Sequence, residues 1–277
     1  MKYPQFNTKA ELFKYLKENK SLLVAEKKAN KKDADAISYG VPVTCPNGEA
    51  VKSESFGQVD LETIKAEVVI NTTNILDSHG DVHMKGIWTK SLKEKKILYL
   101  LQEHEMKFEK VITDELNASV KSYTWSDLGF TQFKGNTEAL VFDAMINSDR
   151  NEYMFEQYFK GRVKQHSVGM QYVNMFLCIN SEEKYYREEK DNWDKYITEV
   201  VNKADAESLG YFWAVTEAKV IEGSAVLRGS NYATPTLSVT TTQDIEADTI
   251  TSSNKTEPPK GTQSINHEYL INQFKKQ

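Results

Sequence analysis

The chain has 277 residues, of which 39% are hydrophobic and 27% charged, and its 35 basic and 40 acidic residues leave a formal net charge of −5 at pH 7. That length suits one large domain or two small ones, with enough apolar residues for a buried core. The acidic balance argues against a general nucleic-acid binder, which would be strongly basic, and leaves room only for a local basic patch.

Residues 8–29 predict a helix, with Thr8 as N-cap, Glu11 completing a capping box, and Leu12, Phe13, Leu16, Leu22 and Leu23 forming a ragged apolar face. A charged break over residues 27–35 follows, so residues 1–55 read as a helical arm appended to the core. Strand patterns cover residues 64–70, 111–120, 139–146, 167–178 and 212–226. Short helical patterns cover residues 88–95 and 151–160. Residues 181–209 are strongly charged with Tyr and Trp interspersed, and they read as a helical insertion with a solvated face. Residues 238–264, rich in Thr, Ser, Pro and acids, have the composition of a disordered linker. Tyr269, Leu270, Ile271 and Phe274 then give residues 265–277 the spacing of a short terminal helix. The central domain is expected over residues 56–237. Its mixed pattern, with no regular βαβ alternation, predicts an α+β fold on an antiparallel sheet or barrel. No run approaches the ~18 consecutive apolar residues of a membrane helix. The charged first twenty residues also lack the apolar stretch of a signal peptide.

Five histidines are the candidate bases: His79, His83, His104, His166 and His267. His267 falls in the predicted flexible tail. His79 and His83 alternate with Asp77 and Asp81, which reads either as a metal site or as an Asx-rich turn between a strand and a helix. His104 follows the apolar run Ile97-Leu98-Tyr99-Leu100-Leu101 and should sit at a sheet edge, where sites form. His166 precedes Ser167, and adjacent strand residues point to opposite faces, so His166 is badly placed to act on that serine. Gly169, two positions after Ser167, lets the backbone approach closely. The two cysteines, Cys45 and Cys178, match no zinc spacing and read as reduced thiols. Cys178 lies in an apolar run where a thiol is usually inert. No cofactor is called for.

Four segments in order resemble the caudovirus (tailed-phage) prohead serine proteases. They are Asn74 to Leu92 with its Asp-rich loop and Gly86, Leu100-Leu101-Gln102-Glu103-His104-Glu105, Gln165-His166-Ser167-Val168-Gly169-Met170, and Ile221-Glu222-Gly223-Ser224-Ala225-Val226 leading to Asn231 and Pro235. The resemblance covers residues 62–237. It departs from the family at Glu105, where Asp is usual, in the insertion 181–209, and at Arg228-Gly229-Ser230. It implies a fold similar to the herpesvirus assembly proteases, an antiparallel β-barrel with surrounding helices. It also implies a serine endopeptidase with Ser167 as nucleophile, His104 as general base and Glu222 as third member, with Glu217 the competitor for that last role. Activity would then rise as His104 loses its proton. The implied substrates are scaffolding protein or the scaffold segment of the major capsid protein, and the chain itself, with self-cleavage in the linker 238–264. The implied setting is the bacterial host cytoplasm, inside the phage prohead, with no nucleic acid, membrane or metal involved and a homodimer allowed. A non-catalytic capsid- or scaffold-binding protein is the alternative.

Overall fold

The computed structural model describes residues 4–29, 62–94 and 96–241. Two helices, α1 (Lys9–Glu18) and α2 (Lys20–Ala29), replace the single helix expected over residues 8–29. The break falls at Asn19, whose side-chain amide donates to the Tyr15 carbonyl and so competes with the helical ladder. Thr8 accepts from the Glu11 amide as an N-cap, and Glu11 reaches back to the amide of Asn7 rather than of Thr8. The expected appended arm is packed into the body over its described part: Phe13, Leu16 and Leu23 belong to the main core.

Among the described residues nine strands form two sheets. They are β1 (Thr63–Thr72), β2 (Asp81–His83), β3 (Leu100–Gln102), β4 (Val111–Thr113), β5 (Leu116–Thr124), β6 (Asn136–Asn147), β7 (Gln165–Ile179), β8 (Tyr211–Val226) and β9 (Thr236–Thr241). The first sheet runs β5-β6-β1-β9 and is antiparallel throughout. The second is built on β8. One edge of β8 pairs with β7 along its whole length, antiparallel, while the other takes β2 near its start and β3 near its end, both parallel. β4 pairs antiparallel with β3. The molecule is therefore α+β with largely antiparallel sheets. An isolated bridge between Gln165 and Pro235 links the sheets, and no closed barrel forms among the described residues.

Among the described residues three further α-helices follow: α3 (Glu152–Phe159), capped by Asn151, α4 (Arg187–Tyr196) and α5 (Lys203–Leu209). The expected strand 111–120 is split into β4 and β5, and the described part of the helical pattern, residues 88–94, is turns, a 3₁₀ segment at Ser91–Lys93 and a bend. The charged insertion is helical between β7 and β8, yet it carries a buried stripe. Trp193, Tyr196, Ile197 and Val200 close over Cys178, Phe212 and Ala214 as a second core, each large side chain contributing about 1.5–3 kcal/mol by leaving water. Residues 238–241, expected as the start of the linker, belong to β9. The rest of the linker and the terminal helix lie outside the described residues.

The main core sits between the sheets. Ile64, Ala66, Val68 and Ile70 of β1 and Leu140, Phe142, Ala144 and Ile146 of β6 alternate inward toward Val168, Met170, Val220 and Ala225 of β7 and β8. Gly223 of β8 faces this interior. A Cβ there would stand 2.6 Å from Phe142 and 2.8 Å from Ile70, so the absence of a side chain lets the sheets approach at the level of the candidate site.

Candidate active site

β3 ends at Gln102, and the next two residues, Glu103 and His104, both take left-handed backbone conformations with φ of 52° and 61°. For residues other than glycine this costs on the order of 1–3 kcal/mol each and persists only where surrounding bonds hold it. One such bond is internal, from the Glu105 amide to the Gln102 carbonyl at 3.1 Å, and two come from β8. The Glu103 amide donates to the Ala225 carbonyl at 3.0 Å, and the His104 amide donates to Ser224 Oγ at 3.1 Å. The chain thereby folds the His104 imidazole back over β8. There Nδ1–H donates to Glu222 Oε1 at 2.7 Å, and Ser224 Oγ–H donates to Glu222 Oε2 at 2.6 Å. Glu222 is fully buried. The other ring nitrogen, His104 Nε2, is also buried and has no hydrogen-bond partner.

The face on which Glu222 lies depends on a register shift. Met170 pairs with Val220 but Gly169 pairs with Glu222, so Ile221 is an extra residue on β8. Simple alternation from Ala218 and Val220 would send Glu222 into the core between the sheets. The extra residue re-aims it to the opposite face, as β-bulges do. Glu222 then lies across Gly169, where a Cβ would come within 1.8 Å of its carboxylate oxygen, so the site has no room for any side chain at Gly169.

Ser167 lies directly opposite Ser224 in the β7–β8 ladder. Directly paired residues share a face with their Cβ atoms about 4.5–5.5 Å apart. Ser167, Gly169, Glu222 and Ser224 thus occupy one face, with His104 folded onto it from the end of β3. Ser167 retains slight exposure, 7%, whereas Ser224 has none. No hydrogen bond joins His104 to Ser167 in this structure.

The structure brings together His104, Glu222 and the face that carries Ser167. Glu217 is elsewhere, opposite Asn174 and in an exposed ion pair with Lys90 at 2.6 Å. His166 points to the other side of β7. There Nδ1–H donates to the Thr234 carbonyl at 3.2 Å and Nε2 accepts from Tyr158 O–H at 2.9 Å, and burial pushes its pKa down to about 4. Residues 77–80 form an Asx turn that leads into β2, with Asp77 Oδ1 accepting from the amides of His79 and Asp81. Among the described residues no group of three or more His, Cys, Asp or Glu could hold a metal ion. Cys178 is buried, and burial pushes its thiol upward, away from the thiolate a nucleophile requires. No helix of the described residues is long and apolar enough to cross a membrane.

Sequence reasoning passed over Ser224. The signal was present: Glu-x-Ser on a strand puts both side chains on one face. Its partner, the His104 amide, lies 120 residues away.

Chemically, the arrangement is an imidazole anchored through Nδ1 by a carboxylate. Its Nε2 lone pair is uncommitted, and a hydroxyl lies on the same face. A scan against protein-family models matches none of them, and searches of curated proteins and of solved structures return no match.

Proposed function

We propose that the chain is a serine endopeptidase in which Ser167 is the nucleophile, His104 its general base and Glu222 the group that orients the imidazole. The observation that carries this reading is the 2.7 Å bond from His104 Nδ1 to the buried Glu222 carboxylate, with Nε2 left unpartnered over the face that bears Ser167. A carboxylate on Nδ1–H fixes the tautomer whose Nε2 lone pair accepts a proton. Ser167 Oγ attacks the peptide carbonyl carbon as its proton passes to Nε2. The tetrahedral intermediate collapses, and the amine leaves with that proton. Water, deprotonated by the same nitrogen, then releases the acyl group.

The resemblance to prohead proteases supplies the finer reading. The substrates are scaffolding protein or the scaffold segment of the major capsid protein, and the chain itself, inside a phage prohead. The two-sheet body would correspond to a herpesvirus-protease-like barrel.

The alternative, a non-catalytic capsid- or scaffold-binding protein, draws on one observation: His104 and Ser167 are not hydrogen-bonded here. In substrate-free sites such bonds are often long and tighten on binding, so the missing bond does not count against the enzyme. Wild type and Ser167→Ala are to be co-expressed with the capsid and scaffold proteins, read by mass spectrometry, and treated separately with a fluorophosphonate. Fragments and labelling confined to wild type are expected. Intact chains and no labelling in both would move the assignment to the structural protein.

A further inference from the structure

Ser224 has no role in the three-residue scheme, yet it makes two of the bonds that hold that scheme in place. Its Oγ accepts from the His104 backbone amide at 3.1 Å and donates to Glu222 Oε2 at 2.6 Å. It has no exposed surface, so it cannot reach a substrate. A hydroxyl has one proton and two lone pairs. Here the proton is directed at the carboxylate and a lone pair at the amide.

We propose that Ser224 is a positioning residue that locks the His104–Glu222 pair into its working geometry. This deepens the serine-peptidase reading and rests on it for its catalytic consequence. Two observations converge. The left-handed pair Glu103–His104 is an unfavourable turn that must be held from outside. The turn is closed internally by the Glu105 amide on the Gln102 carbonyl, and its two central amides are tied to β8 through the Ala225 carbonyl and Ser224 Oγ. The same oxygen also orients the carboxylate. With Oε2 engaged by Ser224, Oε1 is the oxygen presented to Nδ1–H. A single group thus sets both the backbone position of the base and the rotation of its partner. Removing it leaves the turn under-held and lets the carboxylate rotate, so the imidazole loses its fixed orientation while the substrate-binding surface is untouched.

The test has two independent readouts. The first is the downfield proton NMR signal of His104 Nδ1–H, assigned by its loss in His104→Ala, which reports the bond to Glu222 whether or not the protein is an enzyme. Ser224→Ala should weaken or abolish that signal, and Ser224→Thr, which keeps the hydroxyl, should retain it. The second is peptide hydrolysis. Ser224→Ala should lower kcat by about 10- to 100-fold with KM within about twofold, and should cause little further loss in a Glu222→Gln background, because coupled groups are not additive. Thermal unfolding identifies any variant that fails to fold, and Ser224→Thr then carries the comparison. An unchanged Nδ1–H signal in folded Ser224→Ala overturns the positioning role, as does a loss in KM alone or one that multiplies fully with Glu222→Gln. Failure of Ser167 to react with a fluorophosphonate sinks the peptidase reading instead, and the NMR signal still decides whether Ser224 holds His104.

Discussion

Among the described residues two buried networks join a histidine to a carboxylate, and they are built on opposite principles. The first centres on His83. Asn71 donates to its Nδ1 at 2.9 Å, its Nε2–H donates to Tyr172 at 3.1 Å, and Tyr172 donates to Asp81 at 2.8 Å. Lys27 of α2 closes the network with a 2.5 Å bond to the other oxygen of Asp81. Each of these groups has its partner, and the chain of bonds ties the N-terminal helices to β2 and β7. The second network, His104–Glu222–Ser224, is satisfied everywhere except at His104 Nε2. It rests on two strained residues and adjoins a serine with residual exposure. Buried polar atoms are nearly always paired, so an unpaired one requires an explanation. A closed network holds a fold, and a network with one open nitrogen is suited to accept a proton.

The largest expected effect belongs to the closed network. Lys27→Ala leaves the Asp81 carboxylate buried without its cation, and breaking such a pair costs about 3–5 kcal/mol. Urea unfolding monitored by tryptophan fluorescence measures it. A loss below about 1 kcal/mol would erase the distinction between the networks, since the His83 cluster would then hold nothing.

Next comes pH, through the third buried histidine. His166 is held neutral by burial, its pKa lowered from 6.5 to about 4. The unfolded chain therefore binds a proton that the folded chain refuses between those values. Stability from this group is complete above the ordinary histidine pKa and is lost as pH falls toward 4, roughly 3 kcal/mol in all. His166→Gln should flatten that part of the stability-against-pH curve relative to wild type. Parallel curves would mean that His166 takes up its proton alike in the folded and unfolded chain, so that burial does not hold it neutral.

The smallest structural change sharpens the comparison most. Gly169→Ala places a methyl against the Glu222 carboxylate, and overpacking of this kind costs about 1–3 kcal/mol. Because Glu222 must move, peptide hydrolysis should fall by at least about tenfold with the fold retained. A folded variant with full activity would show that Glu222 does not orient the base.

Much of this was legible in one dimension. Strand-forming composition marked β1, β6, β7 and β8. The apolar run ending in a polar residue marked His104, and strand geometry alone separated Ser167 from His166. The reading failed where local pattern was a poor guide to burial. Residues 181–209 read as a helix with one solvated face, and their spacing did not say that Trp193 and Tyr196 would build a second core against Cys178 and Phe212. Residues 8–29 look like an appendage because nothing in their own periodicity records that Lys27 meets Asp81.

The sequence by itself determined the long strands β1, β6, β7 and β8, the placing of Ser167 on the face of β7 opposite His166, and the small residue at Gly169 beside it. These follow from backbone periodicity within a few residues. The tertiary structure alone decided that Ile221 is an extra residue, which turns Glu222 out of the core. It alone decided that β2 and β3 pair parallel to β8, and that Ser224 holds a histidine 120 residues away. Register shifts and buried hydrogen bonds are set by which distant strand supplies the partner, and no spacing along the chain encodes that choice.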